Sequence, residues 1–134
     1  MARWLFKEEP SHYSFADLER DGGTVWEGVA NALALQHLRK VRPGDEVFFY
    51  HTGKEKAVVG VMKVAAAPAA AAEGEVTVEV RPVRRLHHPV PLSRIKADKT
   101  LADWELVRLP RLSVMPVTDA QWRRVEELGN QPGG

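Results

Sequence analysis

The chain has 134 residues, 44% of them hydrophobic and 28% charged, and a formal net charge of +1. That is enough for one domain around a single core and too little for two ordinary ones. With no cysteine, disulfides, thiolate metal sites and thiol nucleophiles are excluded. No apolar run approaches the ~20 residues of a membrane span and the N-terminus lacks a signal-peptide pattern, so a cytoplasmic protein without membrane association is expected.

In chain order, Ala2 to Lys7 alternates as a short strand, with Trp4 and Phe6 on one face and Arg3, Leu5 and Lys7 on the other. Glu8-Glu9-Pro10 ends it. Ser14 is placed as an N-cap, with Asp17 at the third helical position, and Asp21-Gly22-Gly23 stops that helix. Residues 24–29 read as irregular or briefly extended. Asn31 caps a second helix whose buried stripe includes Ala34, Leu35, Leu38 and Val41.

Pro43-Gly44 turns the chain into Asp45–His51, apolar on both faces and therefore a central strand. Its far end, Tyr50-His51-Thr52, is rich in hydrogen-bonding groups. A hairpin loop at 52–56 leads to an antiparallel partner at 57–64, in which Gly60 marks a bulge or a close approach. Residues 65–74 form an alanine-rich loop. A half-buried strand follows at 75–85, with Pro82 expected to mark an edge or the end of its pairing and Pro89 and Pro91 to break the chain.

Short helices are expected at 92–97 and within 101–109, then a last strand at 111–117. A capping box of Thr118 and Gln121 opens the closing helix, with Trp122, Val125 and Leu128 buried and Gly129 as a left-handed stop. Residues 130–134 are expected to be a disordered tail. The element order favours an α+β fold, a small mixed or antiparallel sheet closing toward a barrel with helices outside it, in one domain over residues 1–129.

Charge is unevenly distributed. Residues 81–124 carry ten Lys/Arg against four Asp/Glu, a surplus of six that is compatible with a phosphate-facing patch or with ordinary surface cover. The five histidines lack metal-ligand spacing, so no metal site is expected, and no phosphate loop or nucleophile elbow is present. Lys7, Glu9 and His51 are residue types able to carry proton transfer, which leaves a nuclease or base-processing enzyme as an alternative. Trp4 and Trp26 stand beside acidic and turn residues, which suits either aromatic faces around a flat base or ordinary core positions.

Four separated stretches belong together: Trp4-Leu5-Phe6-Lys7-Glu8-Glu9-Pro10, Trp26-Glu27-Gly28-Val29-Ala30-Asn31, Phe48-Phe49-Tyr50-His51-Thr52, and Arg111-Leu112-Ser113-Val114-Met115-Pro116. In this order, with Gly60 between the last two, they resemble the EVE domain family of the PUA-like superfamily over about residues 3–128. The resemblance implies a PUA-like β-barrel with flanking helices, without catalytic activity or cofactor. It also implies a reader of DNA or RNA carrying a modified base, such as 5-methylcytosine, flipped into an aromatic-lined pocket.

By motif, that pocket would draw on Trp4, Lys7, Glu9, Pro10, Trp26, Val29, Asn31, Tyr50, His51, Thr52, Arg111, Leu112 and Ser113. Trp26 and Tyr50 would stack on the base, Asn31, His51, Thr52 and Ser113 would read its edges, and Arg111 would meet a phosphate or carbonyl. The chain departs from the family pattern at Ala30, where arginine is usual, and at Ala32-Leu33, where Tyr-Gln is usual. It also lacks the usual loop sequence at 65–74. These departures leave room for another base or another small planar ligand.

Overall fold

The computed structural model describes residues 2–70 and 74–131. The elements in order are β1 (Arg3–Glu8), α1 (Phe15–Asp21), β2 (Thr24–Trp26), α2 (Ala32–Leu38), β3 (Glu46–His51) and β4 (Ala57–Val64). They continue as β5 (Ala69–Ala70), β6 (Val76–Pro91), α3 (Leu92–Lys96), α4 (Glu105–Arg108), β7 (Val114–Pro116) and α5 (Asp119–Gly129). The strands form one mixed sheet in the order β2-β6-β4-β3-β1-β7, with β5 on β6. The sheet curls into a half-barrel with the helices around it.

β1 and β3 run parallel at the centre, with Leu5 opposite Phe48 and Lys7 opposite Tyr50. Every other pairing is antiparallel. Alternation along these two strands divides the core into two packed faces. On one, Phe48 stacks on Trp122 of α5 with centroids 3.7 Å apart. On the other, Trp26 lies 5.4 Å from both Phe6 and Phe49, and Phe15 meets Phe49 edge-on at 5.5 Å. Phe6, Phe15, Phe48 and Phe49 are fully buried.

The helix starts follow the local signals. Ser14 with Asp17 and Thr118 with Gln121 both form complete capping boxes, and the Asn31 side chain accepts the Ala34 N–H. Gly22 closes α1 in a left-handed conformation. Gly129, in contrast, is the last helical residue, and Asn130 with φ −91° caps the end. The left-handed stop expected at Gly129 is therefore absent. A Cβ there would make only ordinary van der Waals contact with Leu86 and the His88 carbonyl, so neither backbone conformation nor crowding requires glycine at this position.

β6 also departs from the local reading. Pro82, Pro89 and Pro91 do not end it, and it pairs with β4 from Val80 to Pro91. Two register shifts, between Val58 and Gly60 and between Val61 and Met62, interrupt that ladder. Bulges of this kind accommodate residues that cannot donate to it. The last strand is shorter than expected, because Leu112 still donates to the Leu109 carbonyl in a turn.

Part of the alanine-rich stretch forms β5, opposite Val76 and Thr77, while 71–73 lie outside the described residues. Asn130 and Gln131 continue from α5 and are held there, Gln131 through a 2.7 Å bond from Arg94. The rest of the expected tail, 132–134, lies outside the described residues.

Candidate functional site

The carboxyl ends of β1 and β3 gather most of the residues singled out by motif. The Lys7 N–H donates to the Ser113 carbonyl at 2.9 Å, and the Thr52 N–H donates to the Glu8 carbonyl at 3.0 Å. Ser113, Lys7-Glu8 and Thr52 therefore stand side by side, one step beyond the regular ladder. Here β1 and β3 leave the sheet together, because their parallel register brings both carboxyl ends to the same edge.

Two clefts open at this edge and share Pro110. One, of about 300 Å³, is lined by Lys7, Tyr50, Thr52, Gly53, Lys56, Leu92, Lys96 and Leu106 besides Pro110. The other, of about 340 Å³, has walls formed by Asn31, Leu33, Arg108, Leu109, Arg111 and Leu112. Six motif residues thus line adjoining clefts: Lys7, Asn31, Tyr50, Thr52, Arg111 and Leu112. Leu33 and Leu109, both more than one-third exposed, make the second cleft largely apolar.

Lys7 is the centre of the arrangement. Its ammonium donates to the Pro110 carbonyl at 2.9 Å and sits 5.6 Å from the Tyr50 ring centroid. Among the described residues it has no carboxylate within ion-pair distance. Burial pushes its pKa below the usual lysine range. A partly desolvated cation without an acidic partner is electrostatically incomplete, and an acceptor from outside would complete it.

Tyr50 is 3% exposed, yet its hydroxyl makes no bond to another described residue and is not sealed from solvent. Burial pushes its pKa up to about 12. In the unfolded chain tyrosine titrates near 10, so this contribution to stability is complete below pH 10 and is lost as pH rises through 12. The two-unit difference corresponds to about 2–3 kcal/mol. Lys7, whose pKa is lowered, acts with the opposite sign as pH approaches the normal lysine value. Chemical denaturation between pH 9 and 12 is expected to show the Tyr50 loss, and Tyr50→Phe is expected to flatten it.

The remaining motif residues have other placements. Trp4 is 6% exposed, and its indole N–H donates to Asp45 at 2.9 Å, away from both clefts. Trp26 lies on the opposite sheet face from Tyr50, so the two rings cannot enclose one base. It borders a smaller cleft of about 150 Å³ with Glu8, His12, Tyr13, Thr24, Val25 and Glu27. Val29 packs against the core, and Pro10 sits in the turn after β1.

His51 is engaged at both nitrogens. Nε2 accepts the Phe15 N–H at 3.1 Å, which leaves Nδ1 to donate to Glu55 at 2.7 Å. The Glu9 carboxylate accepts from the Ser11 hydroxyl and N–H and from the Thr52 hydroxyl at 3.4 Å. The Ser11 hydroxyl and amide hold its pKa below the usual carboxylate range. Lys7 and His51 project to opposite faces of the sheet, so Lys7, Glu9 and His51 do not converge on one reacting point.

Three of the ten Lys/Arg of residues 81–124 are paired elsewhere: Arg84 with Glu126, Arg85 with Glu19, and Arg124 with Asp98 and Glu127. Three others of the segment, Lys96, Arg108 and Arg111, border the clefts, joined there by Lys7 and Lys56 from outside it. Sequence reasoning counted Lys96 within the basic segment but passed over Lys56, since nothing local connects the two. A 2.7 Å bond from the Leu92 N–H to the Lys56 carbonyl ties the start of α3 to the β3–β4 hairpin.

The EVE domain family model matches residues 2–128. A solved Agrobacterium tumefaciens protein is 33% identical, with a TM-score of 0.93 over 97% of this chain and 94% of that one. The crystal structure of human THYN1 protein in complex with 5-methylcytosine-containing DNA is 25% identical, with a TM-score of 0.91 over 99% of this chain and 100% of that one. An ASCH protein from Zymomonas mobilis shares the fold at 11% identity, with a TM-score of 0.65 over 94% of each chain, in keeping with a PUA-like architecture.

Zebrafish thymocyte nuclear protein 1 is 26% identical over 97% of this chain and 73% of its own length. The chicken protein of that name is 37% identical over 46% of this chain, and the match spans 30% of its own length. With four motifs in place, the sheet they build and a family match over nearly its whole length, the chain belongs to the EVE domain family.

Proposed function

We propose that this chain is a non-enzymatic module that binds DNA or RNA and reads a modified base, such as a modified cytosine, flipped out of its strand. The observation that carries the reading is the meeting of six motif residues in two adjoining clefts around Lys7, a cation without an acidic partner. The binding of 5-methylcytosine-containing DNA by human THYN1 protein, which shares the fold, supports it. The base enters between Pro110 and the residues flanking it. Leu33, Leu109 and Leu112 offer apolar contact to a methyl group or ring face, while the Asn31 amide, the Tyr50 hydroxyl and the Lys7 ammonium offer donors to its edge.

Ala30 is exposed, so the arginine usual in the family is absent from the rim, and Leu33 adds apolar surface to the cleft. Both changes shift recognition toward the base and away from phosphate at that point. Trp26 supports the edge from beneath, packed on Phe6 and Phe49. The separate placements of Lys7, Glu9 and His51 favour binding over catalysis.

Alanine at Tyr50 would leave a core cavity, so smaller changes give a cleaner test. Tyr50→Phe removes only the hydroxyl, and Asn31→Ser keeps a capping oxygen while removing the amide. Each variant is expected to fold normally and to lose about 1 kcal/mol of binding to a modified oligonucleotide, measured by calorimetry. Wild-type affinity in the folded double variant would contradict this placement. Conversion of the oligonucleotide into a product, abolished by His51→Ala in a folded protein, would contradict the non-enzymatic reading.

A further inference from the structure

The Lys7–Tyr50 cleft does not end at Lys56 and Lys96. These residues and Leu92 also line a third cleft, of about 340 Å³, together with Lys54, Glu55, Pro91 and Ser93. The two clefts therefore adjoin, and together they make a groove along the β3–β4 hairpin tip and α3. Four lysines border it: Lys7, Lys54, Lys56 and Lys96. None has a carboxylate within ion-pair distance among the described residues. The one acid along the groove, Glu55, is bonded to His51 at 2.7 Å.

The backbone supplies a second, independent sign. Lys56, with φ 47°, is the one non-glycine residue with positive φ among the described residues. This conformation is costly for a side chain bearing a Cβ, and such costs concentrate at sites that use them. The Lys56 carbonyl is fixed by the Leu92 N–H at 2.7 Å, so the conformation joins the hairpin tip to α3 along the groove. Exposed, unpaired lysines along a concave track are what a polyanionic strand would neutralise.

We propose that Lys54, Lys56 and Lys96 form a phosphate-binding extension of the site, which holds the nucleic-acid backbone beside the base read near Lys7. This rests on the reading of the chain as a nucleic-acid binder. The extension supplies affinity but no base discrimination, since phosphates are the same in every sequence.

The test measures affinity for a modified oligonucleotide, its unmodified counterpart and the free modified nucleoside over a range of salt concentrations. Wild-type protein is compared with K54Q/K56Q/K96Q, and with K54Q/K96Q, which leaves the left-handed position untouched. Each phosphate contact contributes about 0.7–0.9 to the slope of log affinity against log salt. The triple variant is expected to lose about two units of slope, and the double variant at least one. Both should keep the wild-type ratio between modified and unmodified strands, and K54Q alone, whose residue lines only the third cleft, should keep the wild-type affinity for the nucleoside.

Unchanged slopes in both folded variants would overturn the phosphate extension while leaving base reading intact. A loss of nucleoside affinity in K54Q would also overturn it, by placing that lysine at the base. A wild-type protein that binds both strands equally, with a slope that falls in the variants, would instead overturn base reading and uphold the groove.

Discussion

Replacing Asp45 by alanine is expected to cost about 2–4 kcal/mol of folding stability, because it strands the buried Trp4 indole donor and breaks a second, part-buried bond. Asp45 is 4% exposed, and one of its carboxylate oxygens accepts both the Trp4 indole N–H and the Arg42 amide at 2.9 Å. The indole N–H is buried and has no water to turn to, whereas the Arg42 amide is only part-buried. The Asp45 backbone also accepts from Val64 and donates to the Arg42 carbonyl. The residue thus ties the start of β1 to the turn that delivers β3.

This connection sets the relation between the two parallel strands whose far ends carry the site. Asp45→Asn retains an oxygen for the same donors and is expected to recover most of the loss in urea denaturation. A folded Asp45→Ala protein within about 0.5 kcal/mol of wild type, the range of an ordinary surface change, would show that the carboxylate is not the clasp.

Gly60→Ala is expected to destabilise the protein by about 1–3 kcal/mol or more, through overpacking. A Cβ at Gly60 would lie 2.6 Å from two carbons of the Phe15 ring. Phe15 is fully buried and packs edge-on against Phe49, so the ring has little room to retreat. Its N–H is bound by His51, and a displaced Phe15 would disturb the polar end of β3. The double variant Gly60→Ala with Phe15→Leu, in which the ring is gone, is expected to be less destabilised than the sum of the two changes. Strict additivity of the two in denaturation would contradict the contact.

What the sequence made legible was local. Ser14 with Asp17, Asn31, and Thr118 with Gln121 announced three helix starts because a cap is satisfied within one turn of its own chain. The central strand was legible from its two apolar faces, and the close approach at Gly60 from a glycine out of place in a strand. The extent of β6 was not, since proline reads as a stop while the bulges that admit it depend on β4.

The candidate site divides in the same way. Lys7, Tyr50 and Thr52 could be brought together because β1 and β3 end in recognisable motifs. The local signals around Trp4 did not reveal that Asp45, forty-one residues away, claims its indole N–H. Nor did they separate Trp26 from Tyr50, which requires knowing which sheet face each ring occupies. The charge count over 81–124 mixed arginines that fold into ion pairs, Arg84, Arg85 and Arg124, with Lys96, Arg108 and Arg111, which border the clefts. The lysines of the groove come from a hairpin tip and α3, joined by the Leu92–Lys56 backbone bond.

The most direct test of the central claim compares two oligonucleotides identical except for one base, cytosine in one and 5-methylcytosine in the other, at fixed salt, with single- and double-stranded forms of each. A parallel series carries other modified bases in the same position. At least one modified strand is expected to bind severalfold more tightly than its unmodified partner, as burial of even one methyl group at about 0.8 kcal/mol would give. Equal affinities for every modified and unmodified pair would contradict the account.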